Sequence, residues 1–77
     1  MAVQLHYNGS VFDLDSNRGD AFWVKYIDDT VQAVNDGGVP LPLGINLNDG
    51  RGANLWLFPG TPIGIVAAPE LLFPADA

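Results

Sequence analysis

The chain has 77 residues, and its nine acidic groups against three Lys or Arg give a formal charge of −6. So short a chain makes one domain and buries only about 60% of the surface it exposes when unfolded. A hydrophobic share of 48% with 16% charged residues excludes a disordered tail, and the apolar runs are too interrupted for a membrane span. The acidic balance argues against neutralising a phosphate backbone, so no direct nucleic-acid binding is expected. The absence of cysteine excludes a disulfide framework, a thiolate metal site and a cysteine nucleophile.

The N-terminus, Met1-Ala2-Val3-Gln4-Leu5-His6, lacks a basic region followed by an unbroken apolar stretch. No secretory signal is expected from it, and the cytoplasm is the expected compartment. Val3, Leu5 and Tyr7 alternate with Gln4 and His6. Asn8-Gly9 then forms a two-residue hairpin signal, because both positions tolerate a positive φ. Pairing Tyr7 with Ser10 sets Leu5 against Phe12 and Val3 against Leu14 on one face, with His6 against Val11 and Gln4 against Asp13 on the other. The polar run Asp15-Ser16-Asn17-Arg18-Gly19-Asp20 ends this strand, and Asp20 is expected to cap the helix that follows.

From Ala21 to about Asn35, the residues Trp23, Ile27, Val31 and Val34 recur at helical spacing, widened by Tyr26, while Lys25, Asp28, Asp29, Gln32 and Asp36 take the other side. Gly37-Gly38 supplies left-handed C-cap geometry, and Pro40 and Pro42 prevent continuation. Leu43, Ile45 and Leu47 alternate as a strand, and Asn48-Asp49-Gly50-Arg51-Gly52 reads as a five-residue loop. That loop would pair Leu47 with Ala53, Ile45 with Leu55 and Leu43 with Leu57, leaving Gly44 beside Trp56. After the turn Pro59-Gly60-Thr61-Pro62, a last strand Ile63–Val66 is expected to fold back with Ile63 beside Phe58 and Ile65 beside Trp56. Leu55, Leu57 and Val66 would then face the helix.

The expected fold is therefore α+β, a ββαβββ domain over residues 1–68 with a mainly antiparallel sheet and one amphipathic helix on one face. An apolar, proline-bounded tail occupies residues 69–77. In it Pro69 can start a turn of helix, Pro74 must end it, and Leu71, Leu72 and Phe73 form an apolar plug.

Asp49-Gly50-Arg51 followed by Trp56-Leu57-Phe58-Pro59-Gly60-Thr61-Pro62-Ile63 resembles the Asp-Gly-Arg…Trp-Leu-x-Pro-x-x-Pro-Leu pattern of a family of short uncharacterised actinobacterial proteins. The spacing from Asp49 to Trp56 is one residue longer here. The resemblance spans about residues 5–66 and implies a fold without an activity. Some family members carry a DNA-ligase label, but nucleotidyl transfer needs a lysine in a Lys-x-Asp-Gly setting, and the only lysine here lies in Lys25-Tyr26-Ile27-Asp28-Asp29.

Each candidate chemistry has a plainer structural explanation. Asp13-Leu14-Asp15-Ser16-Asn17-Arg18-Gly19-Asp20 spaces oxygen donors like a calcium loop, but its glycine is one position late and Val24 stands where a bidentate glutamate belongs. A strand end and a capped helix account for the same residues, and no metal or other cofactor is expected. Arg18-Gly19-Asp20 also spells an adhesion tripeptide, which without a secretion signal carries no function. His6 shares a face with Asp13, but Ser10 points away at the turn, so no nucleophile–base set forms. Asp28 and Asp29 diverge by about 100° on a helix and read as a solvated face. Gly50-Arg51-Gly52 is a hairpin turn without the strand–loop–helix context of a phosphate loop.

The remaining surface is apolar. Trp56, Phe58, Ile63 and Ile65 are expected to cluster across strands, with Leu72 and Phe73 in the tail as a cover or a second contact. These six residues are the expected partner-binding set of a non-catalytic module that binds another protein or forms a homodimer. An acidic inhibitor or nucleic-acid mimic occupying a basic partner site is the alternative, and a hydrolytic enzyme comes third.

Overall fold

The computed structural model describes residues 3–73. The element order is β1 (Gln4–Tyr7), β2 (Ser10–Asp13), a 3-10 turn at Ser16–Arg18, α1 (Asp20–Gly37), β3 (Leu41–Asn46), β4 (Gly52–Leu57), β5 (Ile63–Val66) and a one-turn α2 (Pro69–Leu72). The fold is α+β, with every strand pair antiparallel. The expected stop at Pro74 and the extreme N-terminal pair Met1-Ala2 lie outside the described residues.

The first hairpin has the expected register, Tyr7 opposite Ser10 and Leu5 opposite Phe12. Asn8 and Gly9 at φ 51° and 91° form its two-residue turn. The helix runs from Asp20 to Gly37, longer at both ends than the spacing of apolar residues marks. Asp20 is not its cap: Gly19, at φ 84°, holds that position without a side-chain bond, and Asp20 lies in the first turn, where its charge suits the helix dipole. The capping aspartate is Asp15, whose carboxylate accepts from the Asn17 N–H at 3.0 Å and starts the 3-10 turn. At the other end Gly38, at φ 69°, donates its N–H to the Val34 carbonyl as expected.

The second hairpin corrects the expected register by two residues. Leu43 pairs with Leu55 and Ile45 with Ala53, so Gly44 faces Asn54 and Trp56 faces Pro42. The loop is tighter than five residues, because the Leu47 N–H bonds the Arg51 carbonyl at 2.7 Å and Gly50 takes φ 91°. A glycine in that conformation closes a three-residue connection. A shift of two keeps every side chain on its own face, so Leu43, Ile45, Leu47 and Leu57 are still buried.

The larger correction concerns β5, which pairs with β1 and not with β4. Leu5 faces Ile65 and Tyr7 faces Ile63, giving a sheet of order β2-β1-β5 beside the separate pair β3-β4. Pro59 and Pro62 lack N–H donors where a hairpin ladder from β4 would begin. The Pro62 carbonyl instead accepts from the Asn8 N–H at 2.8 Å. The pairing sets Ile65 beside fully buried Leu5, whereas the expected register leaves it on an exposed face beside Trp56. Val66 consequently points outward and is exposed, and does not face the helix.

One core joins the layers, formed by Val3, Leu5 and Leu14 from the first hairpin, Trp23, Ile27 and Val34 from α1, and Leu43, Ile45, Leu47 and Leu57 from the second. The two sheets meet at a Leu14–Leu47 bridge, where Asp15 N–H bonds the Asn46 carbonyl and Asn48 N–H bonds the Asp13 carbonyl, each at 2.9 Å. At the opposite end the Tyr7 hydroxyl donates to the Trp56 carbonyl at 2.7 Å. Trp23 is buried with its Nε1–H donating to the Asp15 carbonyl at 2.8 Å, so this large ring enters the core without an unmet donor. Leu5→Ala is expected to cost about 2–5 kcal/mol through its cavity, enough to leave so small a domain marginal. Tyr7→Phe should cost only about 1 kcal/mol. Urea unfolding followed by tryptophan fluorescence measures both.

Candidate functional site

Among the described residues, the five strands and one long helix leave a seam where α1 overhangs β5. Two adjoining cavities run along it. One, of about 360 Å³, is lined by Ile27, Asp28 and Val31 of α1, by β5, and by Leu72 and Phe73. The other, of about 130 Å³, continues past Val31 and Val34 to Leu57, Phe58 and the turn at Gly60-Thr61. Val31 and Ile63 line both, so the two form one groove with α1 and β5 as its walls.

The backbone of β5 contributes as much as its side chains. In an antiparallel pair, the N–H and C=O of successive residues point alternately toward and away from the neighbouring strand. The bond between Asn8 and Pro62 fixes the phase, so Gly64 and Val66 bond to β1 while the N–H and C=O of Ile63 and Ile65 point away from it. Among the described residues, no hydrogen bond is made to those four groups.

The other strand edges are held at single points, and the outward-facing backbone groups of Val11, Gly52 and Asn54 are likewise without a hydrogen bond among the described residues. On β3, Pro42 has no N–H, the Gly44 N–H donates to the Tyr26 hydroxyl at 3.2 Å, and the Asn46 carbonyl accepts from Asp15. On β4, the Trp56 carbonyl takes the Tyr7 hydroxyl, and on β2 the Asp13 carbonyl takes Asn48. Natural edges are usually blunted with prolines, charges or covering loops. The segment Ile63-Gly64-Ile65-Val66 has neither charge nor proline.

Five of the six expected partner-binding residues lie along this groove: Phe58, Ile63, Ile65, Leu72 and Phe73. They are not a flat cross-strand cluster, because β5 sits on β1. Ile63 and Ile65 are half-buried against the core, whereas Phe58 and Phe73 are 53% and 74% exposed at the two ends. Trp56 is separate, 51% exposed on the outer face of β4 opposite Pro42. The residues that sequence reasoning gave only to the core or to the solvated face are Val31 and Asp28. The signal that could have found the groove was an uncharged strand lying between two prolines, which marks an edge.

Within the described residues, the start of the tail docks on its own chain. Pro69 occupies the first turn of α2, and α2 packs on α1 with Leu71 and Leu72 half-buried. Leu71 lies over Val24 and the Lys25–Asp29 ion pair, while Leu72 turns toward the groove.

The polar candidates are spread out. His6 is exposed on the outer face of β1, opposite Val11. Asp13 accepts the Gln4 amide at 2.9 Å, Asp28 accepts the Gln32 amide at 2.9 Å, and Asp29 accepts the Lys25 ammonium at 3.0 Å. Among the described residues, no three His, Asp or Glu converge to hold a metal, and no helix is long and apolar enough to cross a membrane. A cleft of about 350 Å³ between β2 and the second hairpin loop carries Asp13, Asp49 and Arg51. Its charges are already engaged, since Arg51 Nε meets Asp49 Oδ2 at 2.7 Å. On α1, Phe22 stacks on Tyr26 with centroids 5.6 Å apart, and the Arg18 guanidinium lies over Phe22.

The Asp49 carboxyl is held below its ordinary value chiefly by the Arg51 backbone N–H, which outweighs the opposing desolvation, with the Arg51 guanidinium adding to the lowering.

Comparison with known proteins gives no match: no family model matches the chain, and neither a curated protein nor a solved structure matches it.

Two outcomes are expected. Because α2 docks within the chain, Leu71→Ala and Leu72→Ala should each lower stability by about 1 kcal/mol, half the value for full burial. The resulting melting shift should be the same at all protein concentrations, and a concentration-dependent shift would place the contact between chains. Asp49 should titrate below 3.8 in the folded chain. Its contribution to stability is then present above the unfolded value and is lost as the pH falls through the folded one. Carboxyl-carbon NMR should locate that midpoint, and Arg51→Ala, which keeps the backbone bond, should raise it only part of the way.

Proposed function

We propose that this chain is a small, acidic, non-catalytic docking module whose binding surface is the α1–β5 groove, and that it takes there either a segment of another protein or a second copy of itself. The observation that carries the reading is the coincidence of an apolar groove with an unbonded strand edge in one wall. Exposed aromatic side chains at both ends suit the role, since aromatic residues supply much of the energy at protein interfaces. Peptide-binding domains commonly combine an edge strand with side-chain pockets beside it. His6 and Asp13 face outward on the first hairpin while Asp28 and Asp29 are exposed on α1, and this separation into two elements supports a binding role over a catalytic one.

Two measurements on the purified full chain test this. A random peptide library is selected against it, and light scattering coupled to size exclusion gives its oligomeric state. Phe58→Ser and Phe73→Ser remove exposed side chains at opposite ends of the groove and leave the core intact. Each should weaken a selected peptide, or the dimer, by about tenfold. A monomer whose selected binders are indifferent to both substitutions would end the proposal.

A further inference from the structure

We infer that the occupant of the α1–β5 groove is an extended, basic segment of another protein, bound by strand addition to β5. This rests on the docking role assigned to the groove. The Ile63 and Ile65 N–H and C=O groups offer two donors and two acceptors along one line, spaced as a pairing strand requires. A strand added there extends the sheet to β2-β1-β5-peptide. Its alternate side chains then enter the cavity floored by Ile27 and Val31, and the others face outward. Apolar residues are therefore required at every second position.

The charge of the occupant follows from the walls. Asp28 lines the groove, and no Lys or Arg lines either cavity. The surrounding chain carries a formal charge of −6. A basic segment is attracted by this field and an acidic one repelled. A second copy of this chain offers alternating apolar strands but not the positive charge. None of β1 to β5 contains a Lys or Arg, and the three cations are engaged at Phe22, Asp29 and Asp49. Two copies would also bring together two acidic surfaces.

The test uses the full chain labelled with nitrogen-15 and four synthetic hexapeptides: alternating valine and lysine, alternating valine and glutamate, and the lysine peptide N-methylated at every second residue in each of the two frames. The lysine peptide should bind and slow hydrogen exchange at the Ile63 and Ile65 amides by about tenfold or more. The glutamate peptide should bind at least about tenfold more weakly, and the difference should shrink as salt is raised. Asp28→Lys, an exposed change, should weaken the lysine peptide by about fivefold. Methylation that removes the donors facing β5 should abolish binding.

Equal binding of the lysine and glutamate peptides would overturn the basic assignment. Binding of the lysine peptide that leaves the Ile63 and Ile65 amides unprotected, or that survives both methylation frames, would overturn strand addition. Protection of those amides that rises with protein concentration, without peptide, would overturn the inference in favour of a second copy and leave the groove as the docking surface. Library-selected binders sensitive to Phe58→Ser, with no binding of the lysine peptide, would likewise overturn this inference alone. Failure of both experiments removes the docking role itself.

Discussion

The antiparallel pairing of β5 with β1 is the contact on which the rest of the molecule depends. It brings the C-terminal strand to the N-terminal one and makes β1 the centre of its sheet. Leu5 then lies between Phe12 and Ile65, under α1, and is fully buried. The same pairing fixes which backbone groups of β5 are spent and which face outward. Had β5 folded back on β4, Ile63 and Ile65 would have stood beside Phe58 and Trp56 on an open face, and there would be no groove beside α1.

Two small sheets and one helix create a problem of edges. A chain of this size has many strand ends for each buried residue, and an unbonded edge invites association. Single polar contacts from elsewhere in the fold reach several of these edges. The Tyr26 hydroxyl reaches Gly44, the Tyr7 hydroxyl reaches Trp56, and the backbone of Asp13–Asp15 reaches Asn46 and Asn48. These contacts also join the layers, so edge protection and tertiary cohesion are one set of interactions. At β5 the edge lies beside a groove whose far wall is α1, and the outward backbone groups of Ile63 and Ile65 have no partner among the described residues.

The tail modifies this edge without closing it. α2 packs on α1, which holds Leu72 at one end of the groove and leaves Phe73 exposed beyond it. The groove is thus bounded at both ends by aromatic residues, Phe58 and Phe73, that come from different connections in the chain.

Local chemistry was enough to determine several elements from the sequence. Asn8-Gly9 fixed the first register because few residues tolerate its dihedrals, the apolar spacing from Trp23 to Val34 defined one helix face, and Gly38 stopped the helix. The residues that could form an apolar surface, Phe58, Ile63, Ile65, Leu72 and Phe73, were legible for the same reason. The tertiary structure alone decided where they meet. A hairpin loop closing at Gly50 instead of Gly52 shifts the register by two, which preserves every face, so the pattern of apolar residues could not distinguish the two registers. The partner of β5 was equally hidden, because β1 and β4 both present alternating apolar residues, and the choice turns on proline donors missing at one and on burial beside Leu5 at the other. Strand alternation says which side chains share a face, and only the assembled sheet says which edge remains unpaired.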